Sequence, residues 1–168
     1  MEKRNDENPE ELPVKRILLL TAACLLLLTG CGEDPIEAKF NSEINDFCEN
    51  VSALGLKIDA INVEAEELSI RYATSDLLTY LDEVEVEFLK FSNIDFPEEF
   101  DYLEAMADEA GTYMTEAVAS YHKAYEDTYS QSMEEYAREN YSRACKRMQV
   151  ILALLRGEEI QDPSLTLQ

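Results

Sequence analysis

Positive charge is scarce in this sequence. Its 168 residues include 14 lysines and arginines against 36 aspartates and glutamates, which gives a net charge of −22 at pH 7. An excess of acids on this scale repels the phosphates of nucleic acids and the head groups of anionic lipids. We therefore expect no nucleic-acid partner, and attachment to a membrane would need an apolar group rather than surface charge.

The sequence contains a single histidine, His122. A di-iron centre in a helical bundle needs Glu-x-x-His pairs on two helices, and the residue three before His122 is Ala119. The sequence also lacks a glycine-rich phosphate loop, a Gly-x-Ser-x-Gly elbow and a calcium-binding Asp/Gly loop. We therefore predict no metal site, no cofactor and no enzymatic activity, and we interpret His122 as a residue at the surface or the boundary of the core.

The most apolar stretch of the chain is too short to cross a bilayer. It runs for 12 residues, from Ile17 to Leu28, whereas a helix needs about 20 residues to span the hydrocarbon layer. Lys15 and Arg16 precede it, and the polar run "GCGED" follows. A secretory signal has the same order, with a basic flank, then a short apolar core, then a region with small residues.

The end of this stretch, "LLTGC", resembles the lipobox of bacterial lipoproteins, with Leu28 three residues before Cys31 and small residues between them. The resemblance implies that residues 1–30 are a signal peptide and that Cys31 carries a diacylglyceryl group at the extracytoplasmic face of the cell membrane. Residues 31–34 would then be a lipidated tether. Residues 1–13 are acidic, unlike a short cationic n-region, so we predict that the native start is Val14, read from a GTG codon.

Cleavage before Cys31 would leave a strongly acidic domain. Residues 1–30 contain 5 acids and 4 bases, so the remaining 138 residues keep 31 acids and 10 bases, a net charge of −21. Two acyl chains, at about 0.8 kcal/mol for each buried methylene, would outweigh the repulsion between such a domain and the membrane. The membrane is therefore the first predicted partner, through the lipid alone.

Glycine and proline are also rare after Cys31, with 4 and 3 copies, and no Asn-Gly turn separates alternating runs. Apolar residues instead recur at spacings of three and four, which predicts helices. A helical domain is expected over residues 35–157, followed by a flexible tail over residues 158–168. The predicted helices run from about Pro35 to about Asn62, from either Val63 or Ser75 to about Asn93, from Pro97 through Tyr125, and from Ser132 to Gly157.

These segments predict an all-α protein, specifically an antiparallel four-helix bundle with short links. The alternative is a three-helix bundle with an irregular segment at residues 63–75. Asp34 with Glu37, and Ser132 with Glu135, have the spacing of capping boxes, and Gly157 is predicted to stop the last helix.

The four cysteines do not form a set. Cys24 would leave with the signal peptide and Cys31 is the lipid site, so Cys48 and Cys145 remain. The two lie at matching heights if helices 1 and 4 are antiparallel neighbours, and a disulfide could then join them. Two buried thiols are the simpler interpretation, since cysteine often packs as a small apolar residue.

Tyrosines concentrate around the link between helices 3 and 4, and they form the candidate binding patch. A spacing of four places Tyr121, Tyr125 and Tyr129 on one face. Packing at the edge of the core is the competing interpretation, because a tyrosine ring suits both roles. In an up-and-down bundle this hairpin would point away from the membrane. The candidate patch comprises Tyr113, Tyr121, Tyr125, Tyr129 and Tyr136.

As a whole, the chain resembles the small helical lipoproteins of Gram-positive bacteria, in its lipobox and in segments such as "LLTYLDEVEVEF" and "YSRACKRMQVILALLRGE". We therefore predict a membrane-anchored extracytoplasmic lipoprotein that acts as a non-catalytic binding or interaction module for a protein or small molecule. The alternative is a cation-binding or solute-capturing accessory lipoprotein that uses clustered carboxylates or the tyrosine patch.

Overall fold

The structure is a computed structural model that describes residues 35–61, 67–126 and 128–158. The predicted signal peptide, Cys31, the tether and all but the first residue of the predicted tail lie outside these residues. The described chain is helical and contains no strand, and its helices pack against one another. The elements are α1 (Pro35–Asp59), α2 (Glu67–Ser92), a 3-10 helix (Glu98–Leu103), α3 (Glu104–Tyr125) and α4 (Gln131–Leu155).

The prediction of four helices is confirmed, and the three-helix alternative is wrong. Helix α2 begins at Glu67, so residues 67–75 are helical rather than irregular. The remainder of the predicted irregular segment, residues 63–66, lies outside the described residues. The apolar pattern correctly predicts a helix here. Ala73 and Leu78 are buried, while Ser75 and the β-branched or polar residues around it are exposed or half-buried. Packing of one face therefore outweighs weak helix propensity.

The helix ends agree with the sequence in part. Helix α1 starts at Pro35 as predicted but ends at Asp59, before Asn62. The cap predicted at Asp34 lies outside the described residues. Pro97 does not start α3 directly, because its carbonyl oxygen accepts the Phe100 N–H at 2.7 Å and a 3-10 helix comes first.

The capping box predicted at Ser132 and Glu135 is wrong. Helix α4 begins at Gln131, and the cap position belongs to Ser130, whose backbone is extended. Ser132 therefore lies inside the first turn, with its hydroxyl 3.3 Å from that of Ser130. The carboxylate of Glu135 instead accepts a hydrogen bond from the Gln131 side chain at 2.9 Å.

Gly157 ends α4, as predicted. Its φ of +70° is the left-handed conformation that glycine adopts without steric cost. The Gly157 N–H donates to Leu154 O and the Glu158 N–H to Ala153 O, both at 2.9 Å. These two bonds form a Schellman motif, which satisfies carbonyl groups that the end of a helix would otherwise leave without donors.

The core changes character from one helix pair to the next. Helices α3 and α4 have the most extensive backbone contact, because alanines such as Ala117 and Ala144 allow close approach. The interface of α1 and α2 is aromatic, with the rings of Phe47 and Phe91 4.6 Å apart. The largest fully buried side chains are Phe88, Phe91, Ile44, Leu103, Met114, Met148, Ile151, Leu152, Val84, Val118 and Asn140.

Contacts between helices show which helix ends lie together. Near the end of α1, Lys57 contacts Glu83 of α2 at 3.3 Å, and the neighbouring Asp82 contacts His122 near the end of α3. At the start of α1, Phe40 instead contacts Phe96 and Phe100, which precede α3. We call the end at which α1 finishes and α3 connects to α4 the tip.

Candidate functional site

Three of the predicted patch residues form a column of rings at the tip. Tyr121 and Tyr125 stand one turn apart on α3, and Tyr129 lies in the link to α4. The rings of Tyr121 and Tyr125 are almost parallel, at 9°, with centroids 6.3 Å apart. The Tyr125 and Tyr129 rings are 5.8 Å apart. The spacing of four residues thus places Tyr125 beside Tyr121 on α3, whereas Tyr129 reaches the column from the link rather than from the same helix face.

The column runs from the core to the surface. Tyr121 has 3% of its surface exposed, Tyr125 is half-buried, and Tyr129 is 57% exposed. Tyr121 therefore packs in the core and cannot present its ring to a partner. Of the three, only Tyr129 presents most of its ring to solvent.

A glutamate of α4 anchors this column. The Tyr129 hydroxyl donates to Glu134 Oε2 at 2.5 Å, and Arg138 donates to Glu134 Oε1 from Nε at 3.0 Å and from Nη2 at 2.5 Å. Glu134, whose side chain is 12% exposed, also interacts with Tyr125. Burial alone would raise the pKa of Glu134, but the hydrogen bonds from Tyr129 and Arg138 outweigh it and lower this pKa.

Neither Glu134 nor Arg138 is among the site residues predicted from the sequence. The signal for them was their spacing, since a glutamate four residues before an arginine on a helix favours an ion pair. What the spacing could not show is that the same carboxylate also accepts the Tyr129 hydroxyl from the link before α4. We call Tyr121, Tyr125, Tyr129, Glu134 and Arg138 the tyrosine–glutamate cluster.

The charges of this cluster are fixed near neutral pH. Burial raises the pKa of Tyr121 and of Tyr125 well above 10. The neighbouring Tyr125 raises the pKa of Tyr121 further, and Glu134 raises that of Tyr125 further. The hydrogen bond to Glu134 raises the pKa of Tyr129. The hydroxyl groups therefore stay protonated while Glu134 stays ionised, so the cluster is suited to holding charge in place rather than to moving protons.

The inner end of the column contains an unsatisfied polar group. The Tyr121 hydroxyl is buried and has no hydrogen-bond partner. Tyr141, which is 3% exposed, resembles it in burial. Burial raises the pKa of Tyr141 far above 10, and Cys145 contributes through charge and a hydrogen bond. A buried hydroxyl without a partner costs about 1–3 kcal/mol, so the Tyr121 oxygen reduces stability.

The other two patch residues have different partners. Tyr113 is half-buried on α3, beneath the Arg143 guanidinium at 5.6 Å from its ring centroid. Tyr136 is 47% exposed on α4, and its hydroxyl donates to Glu116 at 3.2 Å. The five predicted tyrosines thus divide into a column with Glu134 and a pair on the seam between α3 and α4.

His122 lies at the boundary of the core between two helices. Its Nε2 is 2.7 Å from Asp82 Oδ1 of α2, and its Nδ1 is 2.6 Å from Glu126 Oε1 just after α3. Partial burial by itself lowers the pKa of His122, but hydrogen bonds to Glu126 and Asp82 outweigh it and raise this pKa above 6.5. The side chain is 28% exposed, in agreement with the predicted boundary position.

Cys48 and Cys145 are buried, each with 2% of its surface exposed. No disulfide joins them. The structure therefore matches the simpler of the two interpretations, in which both residues pack as thiols. Cys145 lies next to the Tyr141 hydroxyl.

A concave surface lies between α1 and α2. It is a groove of about 460 Å³ lined by nine residues that include Asp46, Asn50, Glu87 and Lys90. The carboxylate of Glu87 already accepts hydrogen bonds from Asn50 at 2.9 Å and from Lys90 at 2.7 Å. Three of its polar side chains, Asn50, Glu87 and Lys90, are thus paired with one another.

In the part of the chain that the structure describes, no group of three or more His, Cys, Asp and Glu side chains is placed to hold a metal ion. Over the same residues, no helix combines the length and the apolar character needed to cross a bilayer.

Comparison of the chain with protein-family models, with curated proteins and with solved structures finds no match. Function has to be inferred from the residues and their geometry.

Proposed function

We propose that the protein is a lipoprotein held at the extracytoplasmic face of the cell membrane by a diacylglyceryl group on Cys31, and that its helical domain is a non-catalytic binding module. The motif "LLTGC" after a basic flank and 12 apolar residues supports the anchor. The net charge of −21 after Cys31 supports attachment through lipid rather than through surface charge.

We further propose that the four helices form an antiparallel bundle. In support, contacts between α3 and α4 pair Glu109 with Arg147 and Glu116 with Asn140, so residue numbers rise on one helix as they fall on the other. Pro35 starts α1 four residues after Cys31. With 25 residues in α1, the tip would stand about 37 Å beyond the anchored end.

The exposed ring of Tyr129 is the observation that carries the binding role. It is held from two sides, by the Tyr125 ring and by Glu134, yet 57% of its surface is exposed. A large amphipathic ring fixed in this way loses little conformational freedom when a partner covers it. The fixed charges of the cluster favour binding over acid–base catalysis.

The anchor is tested by expressing the whole precursor in a bacterium and measuring the mass of the N-terminal peptide. We expect a peptide that starts at Cys31 and carries a diacylglyceryl group, and we expect Cys31→Ser to abolish both cleavage and modification. Cys24→Ser is the matched control, because Cys24 lies in the predicted apolar core of the signal, and it should leave processing unchanged. An unmodified Cys31 thiol with Ile17–Leu28 still attached would contradict the proposal.

Capture of a cation or small solute is the second candidate, because the groove between α1 and α2 has a volume of about 460 Å³ and Asp46 lies in its lining. Glu87 is less suited to a cation, since it is already paired with Asn50 and Lys90. Calorimetry with calcium and with zinc separates the two candidates. Tight uptake at a fixed stoichiometry would favour this second function, whereas weak association that salt abolishes would favour a protein-binding module.

A further inference from the structure

We propose that His122 is a pH-sensitive switch between α2 and the end of α3. As an imidazolium ion it binds both Asp82 and Glu126, and as a neutral ring it keeps Glu126 and releases Asp82. A rise in pH would then free one side of α2 from α3. Neither the lipid anchor nor a binding partner is needed for this switch, because it is built into the fold.

The two hydrogen bonds of His122 compete for protons once its ring is neutral. Nε2 lies 2.7 Å from Asp82 Oδ1, across 40 residues of chain, and Nδ1 lies 2.6 Å from Glu126 Oε1. An ionised carboxylate only accepts hydrogen bonds, so each contact needs an N–H of the ring. The neutral ring has one N–H, and its other nitrogen would place a lone pair against a carboxylate. One of the two carboxylates therefore has to move away.

Glu126 is the partner that the neutral ring should keep. It lies one turn after His122, and its backbone N–H donates to His122 O at 2.9 Å. The backbone thus holds these two side chains close together whatever the charge of the ring. Asp82 belongs to another helix and its side chain is 54% exposed. Its carboxylate can turn into water, so this contact is the one that costs more conformational entropy to maintain.

Release of Asp82 should be a local change rather than an unfolding. Leu81 and Val84, on either side of it in sequence, are 4% and 0% exposed and pack in the core. Glu83 faces α1 instead, where its carboxylate is 3.3 Å from Lys57 Nζ. The apolar packing of α2 does not depend on the charge of His122. We therefore expect α2 to stay in the bundle and to become more mobile near Asp82.

The charges that face His122 set the direction of the switch. Within the described residues its ion pairs are with Asp82 and Glu126, and none of them reaches α1 or α4. The next residue, Lys123, is exposed. The hydrogen bonds to the two carboxylates outweigh burial and raise the pKa of His122 above 6.5. Both contacts are therefore present below about pH 6.5, and the one to Asp82 is lost as the pH rises through the raised pKa.

Nuclear magnetic resonance of the ¹⁵N-labelled full chain tests which contact remains. At about pH 5.5 both ring nitrogens should carry a proton, and at about pH 9 the proton should be on Nδ1, facing Glu126. Free imidazole side chains favour the tautomer with the proton on Nε2. A proton on Nδ1 would therefore indicate a specific acceptor there, which a general change in stability would not produce.

Hydrogen exchange of the α2 amides tests the mobility. In the wild type, protection around Asp82, corrected for the intrinsic effect of pH, should fall by about 5-fold as His122 becomes neutral, as expected for loss of a solvent-exposed pair. Asp82→Ala should remove this pH dependence and lower the pKa of His122. Glu83→Ala is the matched control, because Glu83 is the next carboxylate on α2 but contacts Lys57. It should leave the pH dependence intact.

Three results would overturn the inference. The first is a neutral ring with its proton on Nε2, which would mean that Asp82 is kept and Glu126 is released. The second is equal protection around Asp82 at the two pH values. The third is a pH dependence that survives in Asp82→Ala or disappears equally in Glu83→Ala, since either would place the titrating contact elsewhere.

Discussion

The link that His122 makes between α2 and the end of α3 depends on the protonation of its imidazole ring. Both ring nitrogens lie within hydrogen-bond distance of a carboxylate, at 2.7 Å from Asp82 and 2.6 Å from Glu126. A neutral ring has one N–H and can donate to only one of the two, whereas the imidazolium ion donates to both. We therefore expect that raising the pH weakens the link.

The sign of the effect follows from the raised pKa. The two carboxylates raise the pKa of His122 in the folded protein above 6.5, against the opposing effect of burial. The stabilisation is therefore fully present below the pKa of the unfolded chain, about 6.5, and is lost as the pH rises through the folded pKa. Asp82 and Glu126 are 54% and 59% exposed, so the loss should be near the value for solvent-exposed pairs, about 1 kcal/mol.

The free energy of unfolding in urea tests this for the wild type and for His122→Gln, which keeps a polar side chain of similar size without the charge. The wild type should be more stable by about 1 kcal/mol at about pH 5.5, and the difference should approach zero at about pH 9. Lys123→Gln is the control for a lost positive charge, because Lys123 is the next residue and is exposed. Its effect should not change over this range.

Nuclear magnetic resonance of the single histidine gives the folded pKa directly, because His122 has no other imidazole to overlap it. A value at or below 6.5, or a stability difference that does not vary with pH, would refute the reasoning. Either result would mean that the two carboxylates do not hold the imidazolium ion as the distances imply.

Three further substitutions test the packing. Tyr121→Phe should raise the free energy of unfolding by about 1 kcal/mol, since it removes a buried hydroxyl without a partner. Tyr129→Phe should lower the free energy of unfolding, since it removes the bond to Glu134. A loss of stability in both variants would show that the Tyr121 oxygen has a stabilising contact. Gly157→Ala should lower the thermal midpoint by an amount equivalent to about 1 kcal/mol, because the φ of +70° disfavours alanine. Gly157→Asn should lower the midpoint by less. Equal decreases in the two variants would exclude a backbone cause. Ala117→Leu should lower the free energy of unfolding in urea by about 1–3 kcal/mol, because Ala117 is fully buried where α3 meets α4. Ala119→Leu should leave it almost unchanged, because Ala119 is on the exposed side of α3. Similar losses of stability in the two variants would argue against close packing.

The helices could be predicted because their apolar spacing is regular, and the errors lie where two local signals competed. Ser130 and Ser132 both suit a helix cap, and the motif with Glu135 favoured the second. The chain instead turns at Ser130, whose extended backbone precedes α4. At α2 the competition was between the polar residues near Ser75 and the continuation of the apolar stripe through Ala73, and burial decided it.

The candidate site could be predicted only within each helix. Spacing places Tyr125 one turn after Tyr121, but it says nothing about which side of α4 faces them. Glu134 and Tyr136 are two residues apart and so project in directions about 200° apart around α4. Glu134 therefore meets the tyrosine column, whereas Tyr136 contacts Glu116 on the seam. The relative rotation of two packed helices is a tertiary property, which a single sequence does not encode in its periodicity.

The tyrosine column lets stability and binding be separated by position along one row of rings. Tyr121 is 3% exposed and its hydroxyl has no partner, so its substitution should change the free energy of unfolding and leave a surface partner unaffected. Tyr129 is 57% exposed and contacts Glu134, so removal of its ring should chiefly change the affinity for a partner. If loss of partner binding followed the free energy of unfolding in both variants, the tyrosine column would be acting only through the fold. If it followed exposure, the outer ring would be the part of the column that the partner contacts.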